Sequence, residues 1–182
     1  MATNPLFDRY FEMLNKIRQT EQTIINTPQF KILDGFVNRL MLKKESQATI
    51  YIEMAKTNFS IEDLKAFVDI HCFESVLSVA DEKVKIQRLF VIEFILIGHP
   101  LVEEVFKYIK HLASDYNDQQ EGALNLLFSY AVKNFRREEL LTLLDKNIAS
   151  FNKAMAHKTV NFLKQYFKDN EVAEKIILKA NK

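Results

Sequence analysis

The chain has 182 residues, of which 48% are hydrophobic and 27% charged, and its formal net charge is +1. This length and composition fit one globular domain with a sizeable core and exclude a disordered chain. Only three glycines and three prolines are present, so the residues that tight β-turns and phosphate-binding loops need are scarce. We therefore predict an all-α fold in which residues 1–182 form a single domain of about 10 to 11 short helices. The arrangement is expected to be a compact helical array or a short α-solenoid-like stack of hairpins.

The compartment is predicted from what the sequence lacks. Cys72 is the single cysteine, so the chain has no internal disulfide. The first residues do not show the basic-then-apolar layout of a secretion signal, and no apolar run approaches the roughly 18 residues that span a bilayer. We expect a cytoplasmic protein without a membrane span.

The first half of the chain shows several helix-start signals. Asn4-Pro5 and Thr27-Pro28 each place a capping residue before a proline, which suits the first helical position. The second of these helices contains Gly35, for which we predict a close helix crossing. Ser60 and Asp63 resemble a capping box at the start of another helix. The predicted helices of this half cover residues 4–26, 28–41, 46–56, 61–73 and 81–97, with a short helical stretch at 74–80.

Gly98-His99-Pro100 is the clearest break in the chain, because glycine ends a helix and proline starts the next. We predict His99 to be an exposed loop residue. The helices expected after this break cover residues 100–114, 119–133, 138–149, 151–168 and 171–180. On the first of these, His111 and Asp115 are one turn apart and are predicted to pair at the surface.

One stretch is similar to a known repeat family. The sequence Asp118-Gln119-Gln120-Glu121-Gly122-Ala123-Leu124-Asn125-Leu126-Leu127, followed by a helix from Glu138, resembles the paired helices of HEAT- and armadillo-type repeats. The resemblance covers about residues 100–150. It implies a curved scaffold with a concave protein-binding surface, and it carries over no catalytic residue.

The sequence contains no recognisable catalytic pattern. Gly35, Gly98 and Gly122 are isolated, so neither a Walker loop nor a dinucleotide fingerprint can be written. No two histidines are three or four positions apart on one helix, which excludes the usual paired metal ligands. Cys72 follows His71 in an apolar helix, and we interpret the pair as core residues rather than ligands or a nucleophile. We predict no catalytic, cofactor-binding or metal-binding residues, no cofactor, and a protein that is not an enzyme.

Glu93 is the one carboxylate inside the apolar run Leu89–Ile97, which we predict to be the central core helix. A buried carboxylate of this kind marks a candidate polar anchor for a ligand in a Phe-rich core. The simpler interpretation, which we prefer, places Glu93 with Glu82 on one narrow solvated stripe, since the two are about 20° apart around a helix.

The end of the chain carries a basic signal. Residues 131–182 contain 11 Lys and Arg against 6 Asp and Glu, a net charge of +5, whereas residues 1–130 have a net charge of −4 from 14 against 18. In the helix predicted from Phe151, four basic side chains lie within about 60° of one another and form a candidate basic face: Lys153, His157, Lys164 and Lys168. A solvated surface is the simpler interpretation; binding of phosphates or of an acidic partner is the functional one.

These observations lead to three hypotheses. The first is a scaffold or adaptor that binds a protein partner through an apolar groove between helices, with homo-oligomerisation as a variant. The second is binding of nucleic acid or an acidic partner through the basic face, although Arg is scarce there and no nucleic-acid-binding motif is present. The third is a small-molecule or lipid pocket with Glu93 as its polar anchor.

Overall fold

A computed structural model of the chain describes residues 5–74, 89, 92–93 and 98–182. These residues contain nine α-helices, one 3-10 turn and no strand, which confirms the all-α prediction. The described helices are α1 Pro5–Ile25, α2 Pro28–Leu42, α3 Gln47–Lys56, α4 Ile61–Glu74, α5 Val102–Ser114, α6 Gln120–Val132, α7 Arg137–Asn147, α8 Lys153–Tyr166 and α9 Glu171–Ala180, with the 3-10 turn Ile148–Ser150 after α7.

The chain divides into two compact units, Met1–Tyr108 and Ile109–Lys182, and each is described by itself. The prediction of a single domain therefore stays a prediction. The helical stretches predicted within residues 74–97 fall largely outside the described residues. Within the described ranges, no helix is both long and apolar enough to cross a membrane.

In the first unit, α1 packs against α4 and α2, and α2 packs against α3. Two of the predicted start signals are confirmed by hydrogen bonds at the N-termini of helices, whereas the predicted cap Asn4 lies outside the described residues. Thr27 caps α2 by accepting a hydrogen bond from the Phe30 amide at 3.3 Å. Ser60 Oγ accepts from the Asp63 amide at 3.1 Å, and Asp63 Oδ2 accepts from the Ser60 amide at 3.3 Å, so the two form a reciprocal capping box.

Two predictions for the first unit are wrong. His99 is buried, with 3% of its surface exposed, because its ring bonds to backbone on both sides. Its Nδ1 accepts from the Leu101 amide at 3.1 Å, and a second hydrogen bond joins the ring to the backbone of Thr57. Gly35 is exposed, and a Cβ built on it would meet nothing within 4 Å, so no close helix crossing explains it.

In the second unit, α6 packs against α7 and α8, and α9 packs against α7 and α8. The fully buried side chains include Leu140 and Leu144 of α7 and Ile148 of the 3-10 turn. Asn152 and Asn170 cap α8 and α9 by accepting from the amides three residues later, at 2.9 and 3.0 Å. His111 and Asp115 form the predicted surface pair, with Nδ1 and Oδ2 3.7 Å apart.

Candidate functional site

A groove with an aromatic floor runs between α6 and α8. Phe128 of α6 stacks on Phe162 of α8 with ring centroids 4.2 Å apart and planes inclined by 16°. The Tyr166 ring lies 5.0 Å from Phe162 along the same helix. The space above these rings has a volume of about 430 Å³. We call it the aromatic groove, and its lining residues are Asn125, Phe128, Ser129, Val132, Lys133, Phe162 and Tyr166.

Helical spacing places these residues together. On α6 the lining positions recur every three or four residues from Asn125 to Lys133, so they share one face, and Phe162 and Tyr166 are one turn apart on α8. The two phenylalanines are buried, whereas Val132 is 44% and Tyr166 38% exposed. The groove therefore has a buried aromatic floor, and its accessible walls combine Val132 and Tyr166 with the polar side chains of Asn125, Ser129 and Lys133.

Arg137, the first residue of α7, joins the ends of the two helices that form the groove. Its guanidinium donates to the backbone carbonyl of Tyr166 at 2.6 Å and to that of Ala131 at 3.2 Å. The same group lies over the Phe167 ring, 4.1 Å from its centroid. Carbonyls at a helix C-terminus lack intrahelical hydrogen-bond donors and carry the negative end of the helix dipole. A guanidinium there supplies donors and offsets the negative charge. Arg137 thus holds the Tyr166 end of the groove in place.

The charge along the groove is predominantly positive. Helix α8 contains three lysines and a histidine but no acidic residue. On the α6 wall, Lys133 lies at one end, and at the other end Glu121 pairs with Lys158 of α8 at 3.6 Å. Lys153, His157 and Lys164 are about 140° to 180° around α8 from Phe162, so they do not face this groove. The favourable charge for an acidic segment therefore comes from Lys133.

A second groove lies on the other side of α8, against the end of α9. Its volume is about 660 Å³, and it contains four basic side chains and no acidic one among the described residues that line it. We call it the basic groove, and the lining residues used below are Ile148, Phe151, Lys153, His157, Val160, Lys179 and Lys182.

The basic groove only partly matches the predicted basic face. Lys153 and His157 line it. Lys164 is exposed on α8 but is not part of the lining, and Lys168 lies in the turn after α8, because that helix ends at Tyr166. The structure brings in Lys179 and Lys182 from the end of the chain, which the sequence analysis did not single out. The three- and four-residue spacing of Lys175, Lys179 and Lys182 was the signal available for them.

Two titratable groups of the first unit, Cys72 and Tyr108, lie close to Asp69. Burial, and then the charge of Asp69, raises the pKa of the Cys72 thiol. Burial and the hydrogen bond to Asp69 raise the pKa of Tyr108, whose hydroxyl donates to Asp69 Oδ1 at 2.5 Å. Both groups therefore stay protonated near neutral pH and are poor nucleophiles. Among the described residues, no three His, Cys, Asp or Glu side chains are grouped closely enough to hold a metal ion.

Glu93 lies in helical backbone with a half-buried side chain. Its neighbour Ile92 is also half-buried, and Leu89 is 57% exposed, so at these positions the helix is not fully enclosed. The residues 90–91 and 94–97 that would surround Glu93 lie outside the described ranges. Its role as a polar anchor stays a prediction.

In comparisons with known proteins, no family model matches the chain, and no curated protein or solved structure shows significant similarity to it.

Proposed function

We propose that the protein is a non-enzymatic scaffold or adaptor whose aromatic groove binds an acidic, amphipathic segment of a partner protein. The observation that carries the proposal is the stack of Phe128, Phe162 and Tyr166 under the groove, with Val132 and Tyr166 exposed beside it. A concave patch that exposes apolar side chains between polar edges is typical of a recognition site.

The dimensions of the groove suit a short helix. Asn125 and Lys133 are eight positions apart on α6, which corresponds to about 12 Å along the helix axis. A partner helix of about two to three turns covers this length and places side chains at i, i+3 or i+4, and i+7 on the aromatic floor. The groove thus accepts an anchor pattern that many amphipathic helices carry.

The charge of the partner follows from the walls. Lys133 is the one charged side chain in the described lining of the groove, and residues 131–182 have a net charge of +5. Charge complementarity mainly raises the association rate and discriminates among partners, while the apolar contacts supply most of the affinity. We infer a partner segment with apolar anchors on one face and Asp or Glu on its rim.

The wider parts of this proposal rest on the sequence. The single cysteine and its burial support a cytoplasmic location. The packing of α6 against α7 is compatible with the HEAT- and armadillo-like resemblance, which implies a protein-binding surface. Neither point carries the proposal, which depends on the groove.

A displayed library of helical peptides, randomised at its outer positions, tests the groove and the partner's charge together. We expect selection for Leu, Phe or Met at i, i+3 or i+4, and i+7, with Asp and Glu enriched on the rim. Val132→Glu should abolish binding of the selected peptides, because it places a carboxylate in the apolar wall. Val172→Glu is the matched control, since Val172 is 42% exposed on α9 and lies outside the groove lining.

Three outcomes would overturn the proposal. Selected peptides that bind Val132→Glu and the intact protein equally do not use the groove. Peptides without acidic enrichment contradict the inferred partner chemistry. If sedimentation shows a concentration-dependent dimer that Val132→Glu dissociates, the groove is covered by a second copy of the chain rather than by an acidic partner.

A further inference from the structure

We propose that the basic groove is a second, separate binding site, which takes a phosphomonoester carried on a small apolar group. It is independent of the aromatic groove because the two lie on different sides of α8. Val160 lines the basic groove and Phe162 the aromatic one, and two positions on a helix are about 200° apart.

The charges in the basic groove favour a doubly negative group. Lys153 and Lys182 are in none of the ion pairs of the described part of the chain. Lys153 is the first residue of α8, and Lys182 lies beyond the end of α9. Lys179 is already paired with Asp145, whose Oδ1 is 2.5 Å from Nζ. Two uncompensated ammonium groups match the charge of a phosphomonoester near neutral pH better than that of a single carboxylate.

Hydrogen-bond donors reinforce this preference. The amide nitrogen of Asn161, which can only donate, lies 3.2 Å from His157 Nε2. This contact uses Nε2 and leaves the other ring nitrogen, Nδ1, for a second hydrogen-bond partner. The groove also adjoins the first turn of α8, where the positive end of the helix dipole favours an anion.

The apolar lining of the basic groove indicates that the phosphate is attached to an apolar group. Ile148, Phe151 and Val160 form the buried floor of the groove, and the apolar surface that stays accessible is that of Ala149, Ala156 and Ala180. A bare phosphate would leave this surface in water, whereas an attached apolar group would cover it. The volume of about 660 Å³ lies within the range of small-molecule sites.

The test is a titration of the full chain with phenyl phosphate, inorganic phosphate and phenol, followed residue by residue in amide NMR spectra. We expect saturable shifts centred on Ala156, His157 and Ala180 with phenyl phosphate, weaker binding of inorganic phosphate, and none of phenol. Lys153→Gln with Lys182→Gln should weaken phenyl phosphate binding by about tenfold or more, because both charge-assisted contacts to the phosphate are lost. Lys164→Gln with Lys168→Gln removes the same charge outside the groove and should leave binding unchanged.

Vesicles distinguish the two sources of a phosphomonoester. If the ligand is a lipid headgroup, the protein should co-sediment with phosphatidic acid vesicles but not with phosphatidylcholine vesicles. The Lys153→Gln, Lys182→Gln variant should then lose this co-sedimentation. Phenyl phosphate binding without such co-sedimentation identifies a soluble ester. The spectra of both variants without ligand report whether each is folded as the wild type is.

Several results would overturn the proposal. One is the absence of saturable shifts in the wild type up to about 10 mM phenyl phosphate, a concentration that would reveal even weak specific binding. Another is an equal loss in both double variants, which would indicate a diffuse charge effect. A third is a single-stranded oligonucleotide that binds the α8 surface through Lys164 and Lys168 and displaces phenyl phosphate, which would assign the basic residues to a nucleic-acid face.

Discussion

Replacing Arg137 by Ala tests how the aromatic groove is held together. In the wild type, the guanidinium bonds to the Tyr166 carbonyl at 2.6 Å and the Ala131 carbonyl at 3.2 Å, and it lies 4.1 Å from the centre of the Phe167 ring. Arg137→Ala removes these three contacts and the hydrogen bond that the guanidinium donates to Asn134 Oδ1 at 3.3 Å. It leaves the C-terminal ends of α6 and α8 without their shared donor.

The expected loss of stability follows from these contacts. Hydrogen bonds to a charged group contribute about 1.5 to 3 kcal/mol each when buried, and less here because the Tyr166 bond is exposed. The cation–π contact adds about 0.5 to 1 kcal/mol at an exposed site. We expect Arg137→Ala to lower the free energy of unfolding by about 2 to 3 kcal/mol. Arg137→Lys should cost about half as much, because an ammonium keeps the charge but lacks the planar fork that spans two carbonyls.

Urea unfolding followed by circular dichroism measures these differences. Lys146→Ala, an exposed change on the same helix, is the control and should shift the free energy by less than about 0.5 kcal/mol. The amide resonance of Phe167 should move in Arg137→Ala, and peptide binding in the aromatic groove should weaken in parallel. If Arg137→Ala is as stable as Lys146→Ala, the reasoning that Arg137 joins the two helices is refuted.

Two further predictions concern the first unit. Burial, opposed by the hydrogen bond to the Thr57 backbone, lowers the pKa of His99 below its ordinary value of 6.5. The unfolded chain therefore takes up a proton on His99 at a higher pH than the folded chain does, and the free energy of unfolding should fall as the pH drops below about 6.5. Melting temperatures measured at a series of pH values should show this loss of stability. His99→Asn keeps an acceptor for the Leu101 amide but does not titrate, so its melting temperature should depend less on pH. An unchanged pH dependence would contradict the role of His99. Cys72 is fully buried, so a maleimide should label it roughly 100-fold more slowly in the native protein than in urea, and equal rates would show that the thiol is accessible.

Much of the helical architecture could be predicted from the sequence because helix starts are local events. Thr27 accepts from an amide three residues later, as does Ser60, so the signal and its partner lie in the same short stretch. The cap Asn152 was missed, because the helix was predicted to begin at residue 151. The same local logic predicted the pair His111 and Asp115. The predicted helix 151–168 is two residues longer at each end than α8, which covers Lys153–Tyr166.

The candidate sites depend on contacts between residues far apart in the chain, and only the tertiary structure decided those. The Phe128 and Phe162 rings are 34 positions apart, and Lys153 shares a groove with Lys179, 26 positions away. His99 is buried because its ring bonds to the backbone of Thr57 from an earlier helix end. Helical periodicity determines which side of a helix a residue occupies, whereas the packing of helices determines what that side meets. The sequence alone therefore determined an all-α chain with a basic C-terminal region. The packing of α8 against α6 and α9 decided which of its side chains line the aromatic groove and which line the basic groove.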